Sequence, residues 1–506
     1  MTPIQKAGQR FALGFTGTVP SAELRRLVKK YRVGNVILFR ENLESAAQGR
    51  RLTDEIRNLI EGETGYPPFI ALDQEGGVVT RLPADMVNVP GAMALAAAPN
   101  SAQALRQAAR ITAAELERIG VNLNLAPVLD VNSNPGNPVI GVRSLGGDAE
   151  EAGNLALEVI AAYAEAGLLC CGKHFPGHGD TAVDSHLALP LVDKSPEALE
   201  ACELIPFKKA IAAGIPAIMT THILFPRLEE QRLPATMSRT IITGLLKERL
   251  GFSGLVLSDG MEMKAIGDYY GIPAGCAMAL SAGVDLVYVC HESRQMEASL
   301  EAVNAAYREG RYDPEEFDRS VKKILDYKER YAGFGREPGE GIGDAAAIND
   351  RLTRDTVTLL RGAIPPLGGK PFFTGPLAYR STIASAKPDS SLSFASWFAR
   401  RFGGGGAECS ISPGAEEIAA LKARAAGHSV LVLGAYNAHL NRAQLDLARA
   451  LAELPVPLLV IALRNPYDLD GLPEKAAGLA AWEYSEKSFR ALAAALQGEF
   501  TPHLAQ

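Results

Sequence analysis

No stretch of this chain approaches the roughly 18 uninterrupted apolar residues that a membrane-spanning helix needs, so none is expected. An excess of positive charge is missing too. Lys+Arg 51 against Asp+Glu 58 leaves a net charge of −7 with no basic run, which makes nucleic acid and anionic membranes poor partners. Cysteine is scarce: 6 in 506 residues, unevenly placed and including the adjacent Cys170 and Cys171, is not a secreted disulfide framework. Buried thiols in a reducing compartment are the expectation. The opening MTPIQKAGQRFALGFTGTVPSAELRR lacks the charged start and unbroken apolar segment of a secretory signal, so a cytoplasmic location is expected. No internal repeat of short period is visible. The glycine run 403–406 is not followed by Gly-Lys-Ser/Thr, so it reads as a flexible loop and not as a phosphate cradle.

What is present is ordinary globular composition, 47% hydrophobic and 22% charged, far from the disordered corner. Short apolar runs at 11–15, 35–39, 69–72, 122–129, 168–172, 217–221, 254–257 and 284–289 alternate with helical-period segments at 101–119, 150–166, 196–213 and 272–282. Eight strands alternating with helices predict an α/β fold, a (β/α)8 TIM-like barrel over residues 1–335, with an open doubly wound sheet as the rival. The Gly- and charge-rich stretch 336–344 reads as a linker. Beyond it, candidate strands at 356–360, 371–374, 429–433 and 457–462 and helical patterns at 441–454 and 488–496 predict a smaller α/β domain over 345–506. His428, His439 and His503 there are expected to be core or surface residues.

Chemistry in such barrels gathers at the C-terminal ends of the strands, and here those ends are polar. Arg40 and Glu41 follow the second run. Asp73, Gln74, Glu75 and then Arg81 follow the third, Arg143 lies in the Pro/Asn-rich loop after the fourth, and Lys173 and His174 follow the fifth. His222 follows the sixth and Asp259 the seventh.

The segment 173–186 holds Lys173, His174, His178, Asp180, Asp184 and His186 among Pro and Gly. It reads as a polar surface loop, a metal site or an acid/base site. A helical i, i+4 ligand pair is excluded by the Gly/Pro setting, no cysteine joins in, and no metal is expected. Asp184 and His186 are two apart, so an extended stretch puts both side chains on one face, where a carboxylate can orient an imidazole and raise its basicity. Asp259, before Gly260, can serve as a nucleophile or as the N-cap of the segment that follows.

The motifs ILFREN, ALDQEGGVVTRL, PGAMALAA, NLNLAPVLDVN, NPVIGVRSLG, GKHFPGHGDTAVDSH and LVLSDGMEMKAI resemble those of glycoside hydrolase family 3, specifically its β-N-acetylglucosaminidase branch. They cover most of residues 1–335 in the family's order, and KHFPGHGDTAVDSH is the most specific. The resemblance implies Asp259 as nucleophile, His186 as acid/base and Asp184 as its partner. It implies that Asp73, Arg81, Arg143, Lys173 and His174 grip the terminal sugar, with no cofactor.

It further implies a retaining exo-β-N-acetylglucosaminidase that removes terminal GlcNAc from peptidoglycan-derived fragments through a covalent glycosyl–aspartate, with a small carbohydrate as its partner. A phosphorylase on the same scaffold and a catalytically inactive carbohydrate-binding protein are the alternatives. Should His186 not serve, Glu75 or Asp180 is the next candidate. Oligomeric state is not legible.

Overall fold

The computed structural model describes residues 1–181, 189–291, 293–331, 333–337, 341–380, 382 and 384–504. Eight parallel strands close a barrel in sequence order: β1 Phe11–Leu13, β2 Asn35–Leu38, β3 Phe69–Leu72, β4 Leu123–Asn124, β5 Leu169–Phe175, β6 Ala217–Thr220, β7 Leu255–Gly260 and β8 Leu286–Val289. The barrel, and not the open sheet, is the architecture. Closure is made by β1 against β8, with Phe11 opposite Val287.

The strands read as continuous apolar runs because both faces are buried. Alternate residues, among them Ala12, Ile37, Phe69, Leu123, Leu169, Met219 and Leu257, fill the barrel. Their neighbours, such as Leu13, Leu38, Ile70, Ile218 and Val256, face the helical shell.

Helix ends are written in the sequence. Ser45 caps Ala46–Thr64 by accepting from Gln48 N, and Gly65 ends it in the left-handed region. Asp148 and Gly167 do the same for Ala149–Ala166.

Three local expectations change in the barrel. The fourth strand stops at Asn124 because Pro127 has no N–H to give a regular ladder. The helix expected over 196–213 is broken into Pro196–Glu200 and Leu204–Ala212; between them Glu203 turns inward and takes Lys194 as ion-pair partner and Ser133 Oγ at 3.3 Å. β5 and β7 run further than expected, to Phe175 and Gly260, so Lys173, His174 and Asp259 lie within strands.

The second sheet has the order β11-β10-β12-β13-β14-β9-β15, built from β9 Thr358–Arg361, β10 Pro371–Pro376, β11 Gly405–Cys409, β12 Val430–Ala435, β13 Leu458–Ala462, β14 Ala476–Ala480 and β15 His503–Leu504. Among the described residues of this sheet only the β14–β9 pairing is antiparallel. The glycine run expected to be a loop enters β11. A Cβ at Gly404 would lie 2.2 Å from Pro371 O, and one at Gly406 would lie 2.9 Å from Ala395 O, so the bare backbone permits close packing.

Chain order reverses between β10 and β12, the kind of crevice where open α/β sheets present functional loops. The loop after β10 runs to the mouth of the barrel, where Ala386 N donates to Val78 O. Helix Ala345–Asp355 lies ahead of β9 and buries Ala345 and Leu352 in the barrel's shell. Among the described residues no helix is long and apolar enough to cross a membrane.

Candidate active site

The C-terminal ends of the barrel strands open into a cavity of about 720 Å³. Asp73, Arg81, Arg143, Lys173, His174 and Asp259 all line it, so six of the residues singled out from sequence converge on one space. Asp184 and His186 lie outside the described residues.

The floor is a chain of opposite charges. Lys173 Nζ reaches Asp73 Oδ1 and Glu75 Oε1, each at 2.8 Å. Arg143 grips Glu75 with Nε and Nη2, both at 2.8 Å. Arg81 Nη2 stands 3.8 Å from Asp73 Oδ2, and its Nε is buried with no hydrogen-bond partner among the described residues.

Burial opposes the charge on Glu75, but Arg143 and Lys173 outweigh it and hold the carboxyl well below the usual carboxylate range. Burial also opposes charge on Lys173, and the attraction of Asp73 and Glu75 overcomes it and raises the ammonium. Both groups therefore stay ionised although they are buried. Their charged donors and acceptors suit sugar hydroxyls, which bind most strongly to ionised partners.

Asp130 was not singled out from sequence, because it reads as the polar end of an apolar run. It is 1% exposed and accepts three times: Oδ2 from His174 Nδ1 at 2.7 Å, and Oδ1 from the backbone N of His174 at 3.1 Å and of His178 at 2.7 Å. One carboxylate thus orients the His174 ring and ties the following turn to the strand. Burial opposes its ionisation, and His174 holds it below the ordinary range. His178 hydrogen-bonds Thr181 Oγ1 through Nδ1 at 2.9 Å, and its pKa is lowered to about 4 by burial and by neighbouring His174. Gly179 permits this packing, since a Cβ there would sit 1.6 Å from Val131 O.

Asp259 does not cap a helix. The next helix, Lys264–Gly267, has Met263 at its cap, whereas Asp259 Oδ1 accepts from Gly260 N at 2.7 Å. Its strand end is braced by His222, whose Nε2 donates to Gly260 O at 3.0 Å while Nδ1 meets Thr236 Oγ1 at 2.9 Å. Glu262 also lines the cavity. Cys290 N donates to its Oε1 at 2.7 Å, and burial raises its pKa.

Asp180 is drawn away by Lys194 at 2.9 Å, and Glu75 is committed to Arg143 and Lys173. Of these two fallback carboxylates, Glu75 lines the cavity and Asp180 does not. The second sheet also reaches the cavity through Arg380, Ser385, Ala386 and Lys387, which form part of its wall. No motif announced that contribution. Its only sequence signal is the long segment after the β10 run. Among the described residues no group of three or more His, Cys, Asp or Glu is arranged to hold a metal.

Residues 5–327 match the model of the glycosyl hydrolase family 3 N terminal domain. The chain is 38% identical over 280 residues to beta-hexosaminidase A of Pseudoalteromonas piscicida, a match covering 52% of this chain and about half, 47%, of that one. It is 38% identical over 293 residues to a beta-hexosaminidase of Alkalilimnicola ehrlichii, covering 57% of this chain and 82% of the relative. The solved structure of a glycoside hydrolase family 3 beta-N-acetylglucosaminidase from Paenibacillus sp. str. FPU-7 superposes with a TM-score of 0.90 at 38% identity, over 99% of this chain and 98% of the other. With a closed barrel, a charged cavity at its strand ends and these likenesses, the chain belongs to glycosyl hydrolase family 3 and is a glycoside hydrolase.

Proposed function

We propose that the protein is a retaining exo-β-N-acetylglucosaminidase that releases terminal GlcNAc from peptidoglycan-derived fragments in the cytoplasm. The observation that carries this reading is that Asp259 faces the same cavity as the Asp73–Lys173–Glu75–Arg143 chain, so a sugar gripped by the charges presents its anomeric carbon to a carboxylate. Asp73, Arg81, Arg143, Lys173 and His174 bind the terminal sugar. The Asp130 bond to His174 Nδ1 leaves Nε2 of that ring for the substrate. Residues 1–335 form the catalytic unit, 336–344 the link and 345–506 a second unit that walls the cavity.

Cleavage runs in two steps. Asp259 forms a C–O bond to the anomeric carbon as the glycosidic C–O bond breaks, and His186 gives its proton to the departing oxygen. His186, again neutral, then takes a proton from water as that water attacks the same carbon and frees Asp259. Asp184 orients the imidazole through both steps. An imidazole with an ordinary pKa of about 6.5 can alternate as acid and base near neutral pH, which a carboxyl does only when its pKa is raised.

The test is an aryl β-GlcNAc substrate with and without phosphate, together with a slow fluorinated sugar and peptide mass spectrometry. Release of free GlcNAc independent of phosphate, with the label on Asp259, is expected. Phosphate-dependent formation of the sugar phosphate would make the protein a phosphorylase. No turnover despite sugar binding would make it a lectin-like binder, and a label elsewhere would end the role of Asp259.

A further inference from the structure

The short turn Gly141–Arg143 is seated on the second sheet by two of its three residues and presents the third to the cavity. At Gly141 a Cβ would sit 2.6 Å from Asn465 Oδ1, so the turn's backbone presses directly on that side chain. Val142 is buried in an apolar cluster shared by both parts of the molecule, with Met93 and Ala94 on one side and Ala480 and Trp482 on the other. Arg143 points the opposite way, onto Glu75 in the cavity floor. Asn132 bridges the two parts: its Nδ2 donates to Tyr467 OH at 3.0 Å, and its Oδ1 accepts from Gly141 N at 3.1 Å.

The seat is itself held in place. Asn465 Nδ2 donates to Asn437 Oδ1 at 2.8 Å, and Trp482 Nε1 donates to Thr356 O at 2.7 Å.

We propose that Tyr467, Asn465 and Trp482 are positioning residues: they fix the Gly141–Arg143 turn and so set sugar affinity through Arg143 without touching the sugar themselves. The physical reason is the directionality of the Arg143 fork. Two parallel bonds to Glu75 demand that the guanidinium arrive in one plane, and its origin is a three-residue turn with no regular secondary structure on either side. A small shift at Gly141 is carried straight to the fork. This inference rests on the reading of Arg143 as a sugar-binding group.

The experiment is a double-mutant cycle on the full chain, with GlcNAc binding followed by calorimetry. Tyr467→Phe removes one hydrogen-bonding hydroxyl and leaves the ring, so the fold and melting temperature should hold. GlcNAc affinity should fall about two- to tenfold, the loss expected from one displaced hydrogen bond. In an Arg143→Lys background, where the fork is already lost, the same change should have little further effect. Equal losses in both backgrounds, or none in either, would overturn the proposal.

Hydrogen exchange of the peptide spanning 139–146 supplies a readout that needs no ligand. It should quicken in Tyr467→Phe while peptides from the barrel's far side stay as they were. Unchanged exchange there would also overturn the seat. Faster exchange in a protein that binds no GlcNAc would leave the seat standing and remove the sugar-binding reading instead.

Discussion

Arg143 and Glu75 meet fork to fork beneath the cavity, 68 residues apart in sequence, with both contacts at 2.8 Å and side-chain exposures of 4% and 5%. Lys173 joins the same carboxylate, so one acid answers two cations. Such an arrangement is more sensitive to the loss of one member than its net contribution suggests, because the survivors are left as buried unpaired charge.

Glu75→Gln should therefore destabilise the protein by about 3–5 kcal/mol in denaturant unfolding. Its folded pKa lies below the unfolded value of about 4.3. The contribution is complete above that pH and is lost as the pH falls toward the depressed folded value. The variant should lack this acid-induced component, so the two stability curves should converge at low pH. Parallel curves down to the lowest accessible pH would show that Glu75 is not ionised by its neighbours.

His178 carries the opposite kind of group with the same sign of pH dependence. Its folded pKa of about 4 lies below the ordinary 6.5, so between those values the unfolded chain binds a proton that the folded one refuses. Stability should be unaffected by this group above pH 6.5 and fall progressively toward pH 4, by on the order of 3 kcal/mol in all. In His178→Gln the melting temperature should change less over that interval. A wild-type melting temperature that is flat from pH 6.5 to 4 would refute the buried neutral imidazole.

Asp73 holds Lys173 and faces Arg81 at the cavity wall. Removing one partner of a charged hydrogen bond costs about 1–3 kcal/mol, so Asp73→Ala should weaken inhibition by GlcNAc about tenfold or more. The inhibition constant decides it. An unchanged value with normal folding would place Asp73 outside the sugar's reach.

The proposed proton shuttle makes a prediction through the leaving group. His186→Ala should nearly abolish cleavage of GlcNAc disaccharides, whose departing oxygen needs a proton, and slow glycosylation by aryl glycosides with good leaving groups far less. Deglycosylation should then limit the aryl reaction, since water must still lose a proton. Asp184→Asn should show a weaker form of the same split. Equal slowing of both substrate classes, measured by kcat/KM, would make His186 a positioning group.

The barrel was legible because its strands carry runs buried on both faces and the polar residues of the site come directly after those runs, as Lys173 and His174 come after Leu169–Gly172 in β5 and Asp259 after Leu255–Ser258 in β7. The charges of the site were legible one at a time. Their pairing was not, since Asp73 and Lys173 stand 100 residues apart and only barrel closure brings them to 2.8 Å. Asp130 was concealed by position: it ends an apolar run, and its donors lie 44 and 48 residues on, in β5 and in the turn after it. In the second sheet, β11 begins in glycines and β14 is Ala-Ala-Gly-Leu-Ala, compositions with little strand preference that only close packing stabilises.

Helix Ala345–Asp355 and strand β9 are separated by only Thr356 and Val357. The helix buries Leu352 in the barrel's shell, Val357 is buried in the second sheet's core, and Thr356 O is held by the Trp482 indole. A connection clamped at both ends is a weld and has no slack from which to make a hinge. Opening by swinging one lobe from the other would have to tear apolar packing on both sides, unlike the few free dihedrals on which hinged closures turn. By that packing, parting the two halves is the costly way to widen the cavity, and rearranging the loops around its rim is the cheaper one.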